Sequence, residues 1–390
     1  MKQRYAIAVF LSIFLFAVIS STLGALQDRY IAYYGLTNAQ QGLPASLLNI
    51  GSIAALITSL WVMGRIAKPH LVWISSAVTV LLLLPLGAPP AFAAFSMMFL
   101  LMGVSVGYTD TLASSVIADL YTGKRAAMLM CVLHATFGTA GIVLPIAFRS
   151  MMNAGIPWHR LYAVLAALGG VMLVYMIPVC LAQLRAARTR PAGNGQSATG
   201  QKLTIAESKR FLKDRDSVML LLGMFAYGMF LSSISIWIQR FVGVELGNEA
   251  LGAPALSLFW LGLTASRLIS PLIRVRPVAL IRVSSFAAAV LIAVGIALGD
   301  AAFMCAAGAL TGLISGATIP LLMHEACSRY SHNTLMATTF LLLSVYVAQS
   351  VFPPVVGAAA SAFGLTAAMY VCPAALLLCG SAAMMIKTKQ

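Results

Sequence analysis

Read for hydropathy alone, the chain is a series of long apolar stretches separated by short polar breaks. Stretches long enough to cross a bilayer as helices, about 20 residues each, fall at roughly 6–27, 43–63, 70–88, 92–120, 126–152 and 159–184. A polar stretch runs from Arg185 to about Asp216. Six further apolar stretches follow at roughly 217–242, 251–273, 278–298, 301–326, 335–363 and 365–385. The pattern predicts an all-α polytopic membrane protein of twelve transmembrane helices in two six-helix halves. The first half is expected over 1–184, a linker over 185–216 and the second half over 217–390. The linker contains Arg190-Pro191-Ala192-Gly193-Asn194-Gly195-Gln196-Ser197, a flexible composition. After it, Leu203 to Asp214 has the pattern of a short amphipathic helix lying on a membrane surface.

Composition agrees with the pattern. Of 390 residues, 61% are hydrophobic and 9% are charged, against about 25% charged in a soluble domain. The formal charge of +15 would suggest a nucleic-acid partner if it were spread over a soluble surface. Instead most Lys and Arg fall on one side of the predicted topology: Lys2, Arg4, Arg65, Lys68, Lys124, Arg125 and the linker cluster among them. Positive charge collects on the cytoplasmic side of membrane proteins. Both termini are therefore expected in the cytoplasm, the chain in the cell (inner) membrane, and no nucleic acid as partner. Met1-Lys2-Gln3-Arg4 before a long apolar run reads as a signal-anchor first helix, with no cleavage site. The six cysteines show neither metal-ligand nor disulfide spacing and read as small packing residues. Nothing calls for a cofactor or a metal.

Against this apolar background two ionisable residues stand out. Asp110 lies inside the fourth apolar stretch and His134 inside the fifth, on either side of the basic turn Gly123-Lys124-Arg125. At 1.5 Å rise per residue each is about 15 Å from that turn, half-way through a hydrocarbon core about 30 Å thick. Ionisable groups at that depth are costly and usually serve transport or proton relay. They can also act as a polar pair that packs two helices. Apolar surroundings favour the neutral form of a carboxyl, so Asp110 can load and release a proton, with His134 orienting it or accepting from it.

Twelve helices in two halves with a long linker resemble the major facilitator superfamily, over nearly the whole chain. That resemblance implies a substrate site between the halves near the midplane, lined by the first, fourth, seventh and tenth spans. The superfamily's G-x-L-A-D-R-x-G-R-K signature between spans two and three survives only in part in Leu60 to Pro69, with Gly64 at the Asp position. Other stretches resemble the fucose-permease-type branch of proton-coupled sugar symporters. Ala39-Gln40-Gln41-Gly42-Leu43 matches A-Q-S-G-L. Thr109-Asp110-Thr111-Leu112-Ala113-Ser114 matches L-E-T-A-A-N, with Asp110 on the acidic position. Leu133-His134-Ala135-Thr136-Phe137-Gly138 matches L-H-A-x-F-G. Phe259-Trp260-Leu261-Gly262 with Ser266-Arg267 is similar to F-W-x-G-x-x-x-G-R, and Tyr227 with Ser235-Ile236-Trp237 to Y-x-G-x-E-x-x-x-S-x-W. The chain departs from the branch at Leu231 and Gly24, where the branch carries acids, and at Ser114, where it carries Asn. Three polar groups that would meet a sugar are thus lost or shortened.

The candidate site follows from these readings. Asp110 and His134 are the proton-coupling candidates. Ser232, Ser235 and Gln239 repeat at i, i+3 and i+7 as one polar stripe of the seventh span. Trp237 lies two residues from the stripe, as a stacking platform or an interfacial anchor. Gln27 in the first span, Asn49 in the second, Ser114, Tyr227, and Tyr346 with Gln349 in the eleventh complete the substrate-binding candidates. Arg267, the only basic residue inside a span, is the gating candidate or a cap on backbone carbonyls. The expected function is a secondary transporter of a small polar or amphipathic solute, sugar-like by resemblance. It would work by alternating access as a proton symporter and a monomer among membrane lipids. The alternative is proton-driven efflux. Gly138, Gly141 and Pro145 fall short of the G-x-x-x-G-P-x-x-G-G run of the superfamily's antiporters, which favours uptake. No H-E-x-x-H, G-x-S-x-G or paired carboxylates lie in a span, so an enzyme is not expected.

Overall fold

The computed structural model describes residues 2–62, 66–121, 123–188, 205–273, 275–330 and 334–387. The side chains of Ser114 and His134 lie outside the described residues, as do those of Lys124 and Arg125 and the loop position Gly64.

Among the described residues every regular element is a helix. In the first half these are α1 (Lys2–Ala25), α2 (Gln27–Tyr34), α3 (Asn38–Gln41), α4 (Leu43–Val62), α5 (Lys68–Leu86), α6 (Phe92–Leu120), α7 (Gly123–Asn153) and α8 (Arg160–Arg188). The second comprises α9 (Ile205–Lys213), α10 (Arg215–Arg240), α11 (Glu249–Ile269), α12 (Pro277–Leu298), α13 (Ala301–Ser315), α14 (Thr318–Arg329), α15 (Thr334–Phe363), α16 (Leu365–Met369) and α17 (Val371–Met385). Eleven spans are long and apolar enough to cross a bilayer, and α4 supplies a shorter apolar run, Leu43–Ser59.

The helices run antiparallel, so the bundle has a terminal face, which carries both chain ends, and a distal face. The non-glycine residues described keep negative φ. The left-handed conformation falls to Gly35, Gly155, Gly247, Gly299 and Gly364, all in distal connectors. A Cβ is strained there, and these glycines let the chain reverse in a few residues.

Pairing between helices repeats. In the first half α4 packs on α6, α1 on α7 and α5 on α8. In the second, α11 packs on α13, α10 on α15 and α12 on α17, the corresponding pairs. Small residues set the closest approaches, as is common between helices in membranes. A Cβ built on Gly103 of α6 would lie 1.9 Å from the Leu48 carbonyl oxygen of α4, and one on Gly262 of α11 2.0 Å from that of Ala309 on α13. Their counterparts under the repeat are Gly312 against the Phe259 carbonyl and Gly51 against the Leu100 carbonyl, respectively.

Three details depart from the sequence expectation. The first span does not stop near residue 27: after a break at Leu26 it continues as α2 and ends at left-handed Gly35. The tenth span is interrupted at Gly316–Ala317, between α13 and α14. The linker helix α9 has a contact with the protein that the sequence pattern does not foretell. Its Phe211 is fully buried and stacks on Phe340, with ring centroids 5.3 Å apart, which fastens the helix to the second half.

Candidate functional site

The two halves meet along three helix seams. On the first, Gly24 of α1 faces α10 so closely that a Cβ would lie 2.5 Å from the Ser235 carbonyl oxygen. Gln239 Nε2 donates to the Ala25 carbonyl at 3.2 Å, and Asp28 pairs with Arg240 at 3.1 Å. On the second, Gly42 abuts the Pro353 backbone of α15, and Asn49 Nδ2 donates to the Gln349 carbonyl at 3.2 Å. On the third, Gly138 and Gly141 of α7 receive Thr264 and Trp260 of α11, and Arg149 donates to the Glu249 carbonyl. These contacts run from mid-helix to the distal face. In each seam the first half supplies a glycine and the second half the group that fills its place.

Near the second seam lies a further cross-half contact. The Tyr346 hydroxyl of α15 donates to Asp110 Oδ2 of α6 at 2.8 Å. Tyr346 is buried and Asp110 half-buried. Asp110 is positioned by the tight α4–α6 packing, in which Ser52 Oγ donates to the Gly103 carbonyl at 3.0 Å. Tyr346 stands one turn from Gln349, so Asp110, Tyr346, Asn49 and Gln349 gather where α4, α6 and α15 converge. The Tyr346–Asp110 bond joins a carboxylate of the first half to a hydroxyl of the second.

The other candidates divide. Ser235 and Gln239 sit on the α1–α10 seam. Gln27, only 1% exposed, lies at the same distal end, and its Oε1 and Nε2, the Ser235 hydroxyl and Gln239 Oε1 are buried without a hydrogen-bond partner. Unmet capacity of this kind is unusual for buried polar groups. Ser232 bonds back to the Met229 carbonyl of its own helix at 3.3 Å. Tyr227 and Trp237 are fully buried. Tyr227 packs on Phe230. Trp237 lies on another face of α10, beside a cavity of about 200 Å³ lined also by Arg240, Glu245, Ala360 and Gly364. The structure therefore does not bring Tyr227 and Trp237 together with Asp110.

Arg267 Nε donates to the Gly316 carbonyl at 3.3 Å, and neighbouring Ser266 Oγ accepts from the Ala317 N–H at 3.1 Å. Two consecutive side chains of α11 thus meet backbone groups where the tenth span breaks, Arg267 a carbonyl and Ser266 an N–H, both within one half. Ser266 and the Asp28–Arg240 pair are not among the residues that sequence reasoning singles out as candidates. Opposite charges at the distal ends of the first and seventh spans, counterparts in the two halves, were the signal for the Asp28–Arg240 pair.

On the terminal face Arg329 pairs with Asp216 and, at 2.8 Å, with Glu325, and it donates to the Lys387 carbonyl. Asp214 caps α10, accepting from the Ser217 backbone N–H at 3.0 Å and from its hydroxyl at 2.8 Å; the Tyr330 hydroxyl donates to it at 3.0 Å. Partial burial pushes the Asp214 carboxyl up, but the Ser217 and Tyr330 hydrogen bonds and the Arg329 charge outweigh it and hold the group below its ordinary value.

A family model described as Major Facilitator Superfamily matches residues 5–302. A protein TsgA homolog of Erwinia tasmaniensis is 23% identical over 157 residues, 40% of this chain and 39% of that protein. One from Buchnera aphidicola subsp. Baizongia pistaciae is 20% identical over 44% of this chain and 43% of its own length. The chain spans about two-fifths of the length of these curated relatives. Among solved structures, a mutant of the nucleoside transporter NupG superposes with a TM-score of 0.76 at 13% identity, over 99% of this chain and 100% of the other. A mutant of the E. coli fucose:proton symporter FucP does so with 0.68 at 15% identity, over 98% of each. These likenesses establish the fold.

Proposed function

Because the chain belongs to the Major Facilitator Superfamily, we propose that it carries a small polar or amphipathic solute across the cell (inner) membrane by alternating access. Protons drive the cycle in symport, and Asp110 is the carrier. The terminal face lies in the cytoplasm, in keeping with its Lys and Arg. The three seams, tight from mid-helix to the distal face, support reading this conformation as closed to the outside.

The observation that carries the proposal is the Tyr346–Asp110 hydrogen bond between the halves. A hydroxyl bonded to an ionised carboxylate is roughly twice as strong a contact as a neutral pair. A proton on Asp110 therefore weakens a link between the halves, and parting of the halves alters the affinity of Asp110 for a proton; the coupling is reciprocal. Asp110 protonates when it faces the proton-rich outside, crosses in neutral form, and releases its proton inward, where Tyr346 meets the carboxylate. Solute enters with the proton if the empty, charged carrier reorients slowly. Polar groups of Gln27, Asn49, Ser235 and Gln239 offer hydrogen bonds to the solute.

The test uses purified protein in proteoliposomes. Ligands are first sought by thermal stabilisation, since binding to the native state raises apparent stability. Fucose and nucleosides head the panel, as the solutes for which the two structural neighbours are named. Asp110→Asn should abolish accumulation under an imposed pH gradient while leaving binding and exchange. Tyr346→Phe, which keeps the carboxylate, should lower the solute accumulated per unit of pH gradient. Gradient-driven accumulation by Asp110→Asn at the wild-type level would remove Asp110 from the mechanism.

A further inference from the structure

A second cavity, of about 230 Å³, opens between α11, α12 and the broken tenth span, well away from Asp110. Ile269, Ile273, Leu280, Leu313 and Ile314 form its apolar walls. Four of these are 37–46% exposed, so in a chain of membrane-spanning helices the cavity is a groove open to the bilayer. Its hydroxyls are already engaged inside the protein. Ser266 accepts from the Ala317 N–H, and Ser270, Ser284 and Thr318 donate to the carbonyls of Arg267, Ile281 and Ser315. The groove thus makes no demand on a polar solute; it suits hydrocarbon.

The mouth of the groove at the terminal face carries a cation. Arg276 is the N-cap residue of α12, is exposed, and stands between the groove residues Ile273 and Leu280. The next basic residue described along α12, Arg282, is occupied with the carbonyls of Ala383 and Ile386. An apolar slot open to lipid with a positive charge at its membrane-surface end complements an amphiphile with an anionic head. We propose that this groove seats an acyl chain of an anionic phospholipid whose phosphate pairs with Arg276. The chain lies against both Leu313–Ile314 and Thr318–Leu321, the two sides of the break in the tenth span.

Native mass spectrometry of the full chain, released from micelles containing dioleoyl phosphatidylglycerol or dioleoyl phosphatidylcholine, tests the assignment. The anionic lipid should bind about fivefold more tightly, the contribution of one arginine near an anionic surface. Arg276→Gln, a change on the exposed rim, should erase that preference. Ser284→Phe, which fills the groove, should lower retention of both lipids. A preference that survives Arg276→Gln would overturn the proposal. So would phosphatidylglycerol binding unaltered in folded Ser284→Phe, or full competition by inorganic phosphate. If Ser284→Phe does not fold, the Arg276→Gln comparison decides alone.

Discussion

At Gly24 a side chain has nowhere to go. The branch that this sequence resembles keeps an acid at that position, and here the Ser235 carbonyl occupies the place of the missing Cβ. The loss of the acid and the closeness of the first seam are one fact. Asp214 shows the opposite economy, with one short side chain serving Ser217 and Tyr330 together. Asp214→Ala should cost about 1 kcal/mol, as for other N-caps. Its carboxyl is held below its ordinary value, so the stabilisation is complete above the unfolded carboxylate pKa of about 4 and is lost as pH falls through the folded value. The difference in unfolding temperature between wild type and Asp214→Ala should therefore narrow below about pH 4. A gap that stays constant with pH would mean the cap acts through shape and not charge. Asp110 and Tyr346 could each be picked out as polar residues in apolar stretches. Their partnership could not, because they lie 236 positions apart and meet only through the packing of two halves.

Helices behave differently according to which seam they belong to. Gly103 lies within the first half, between α4 and α6, whereas Gly138 lies between the halves, against Thr264. Gly103→Leu should prevent the α4–α6 contact and lower folded yield sharply. Gly138→Leu should leave each half folded and wedge the third seam, shifting the population toward a distal-open form. Spin-label distances across the distal face read this directly, and an unchanged distribution in Gly138→Leu would mean the seam repacks around the new side chain. Element existence and type were legible, because each span is long and strongly apolar. The break at Gly316–Ala317 was not, because the Ser266 and Arg267 side chains that satisfy it come from another helix, and local hydropathy is continuous across it. Phe211 escaped for a similar reason: a single aromatic in an amphipathic stretch looks the same whether it meets lipid or Phe340.

For the whole molecule the recurrent pairing of helices has a mechanical meaning. Glycine-close contacts occur both within the halves and between them, but those between the halves run only from mid-helix to the distal face, so the joint between the halves is the one that can part from one end. A distal latch follows. Cysteines at Asp28 and Arg240, with the native cysteines replaced, should react with a short bifunctional thiol reagent and stop transport until the linker is cleaved. Continued full transport by the linked protein would show that the distal face does not need to open. Twelve spans, two halves and the family are readable in the sequence. Which face is closed is not, since both conformations of an alternating carrier satisfy the same hydropathy, and the choice rests on contacts among residues hundreds of positions apart.

In the proposed cycle, the filled space at Gly24 also bears on a gear ratio. With no acid there, and with Leu231 in place of the acid of the seventh span, Asp110 stands as the one deep carboxylate that the proposed cycle can load. One carboxylate carries one proton per turn. A single elementary charge crossing 100 mV is worth about 2.3 kcal/mol, which limits a neutral solute to about fiftyfold enrichment for each 100 mV of proton-motive force. A carrier geared as proposed would favour easy turnover on a modest gradient over extreme concentration, a ceiling that follows from the absence of acids at both Gly24 and Leu231.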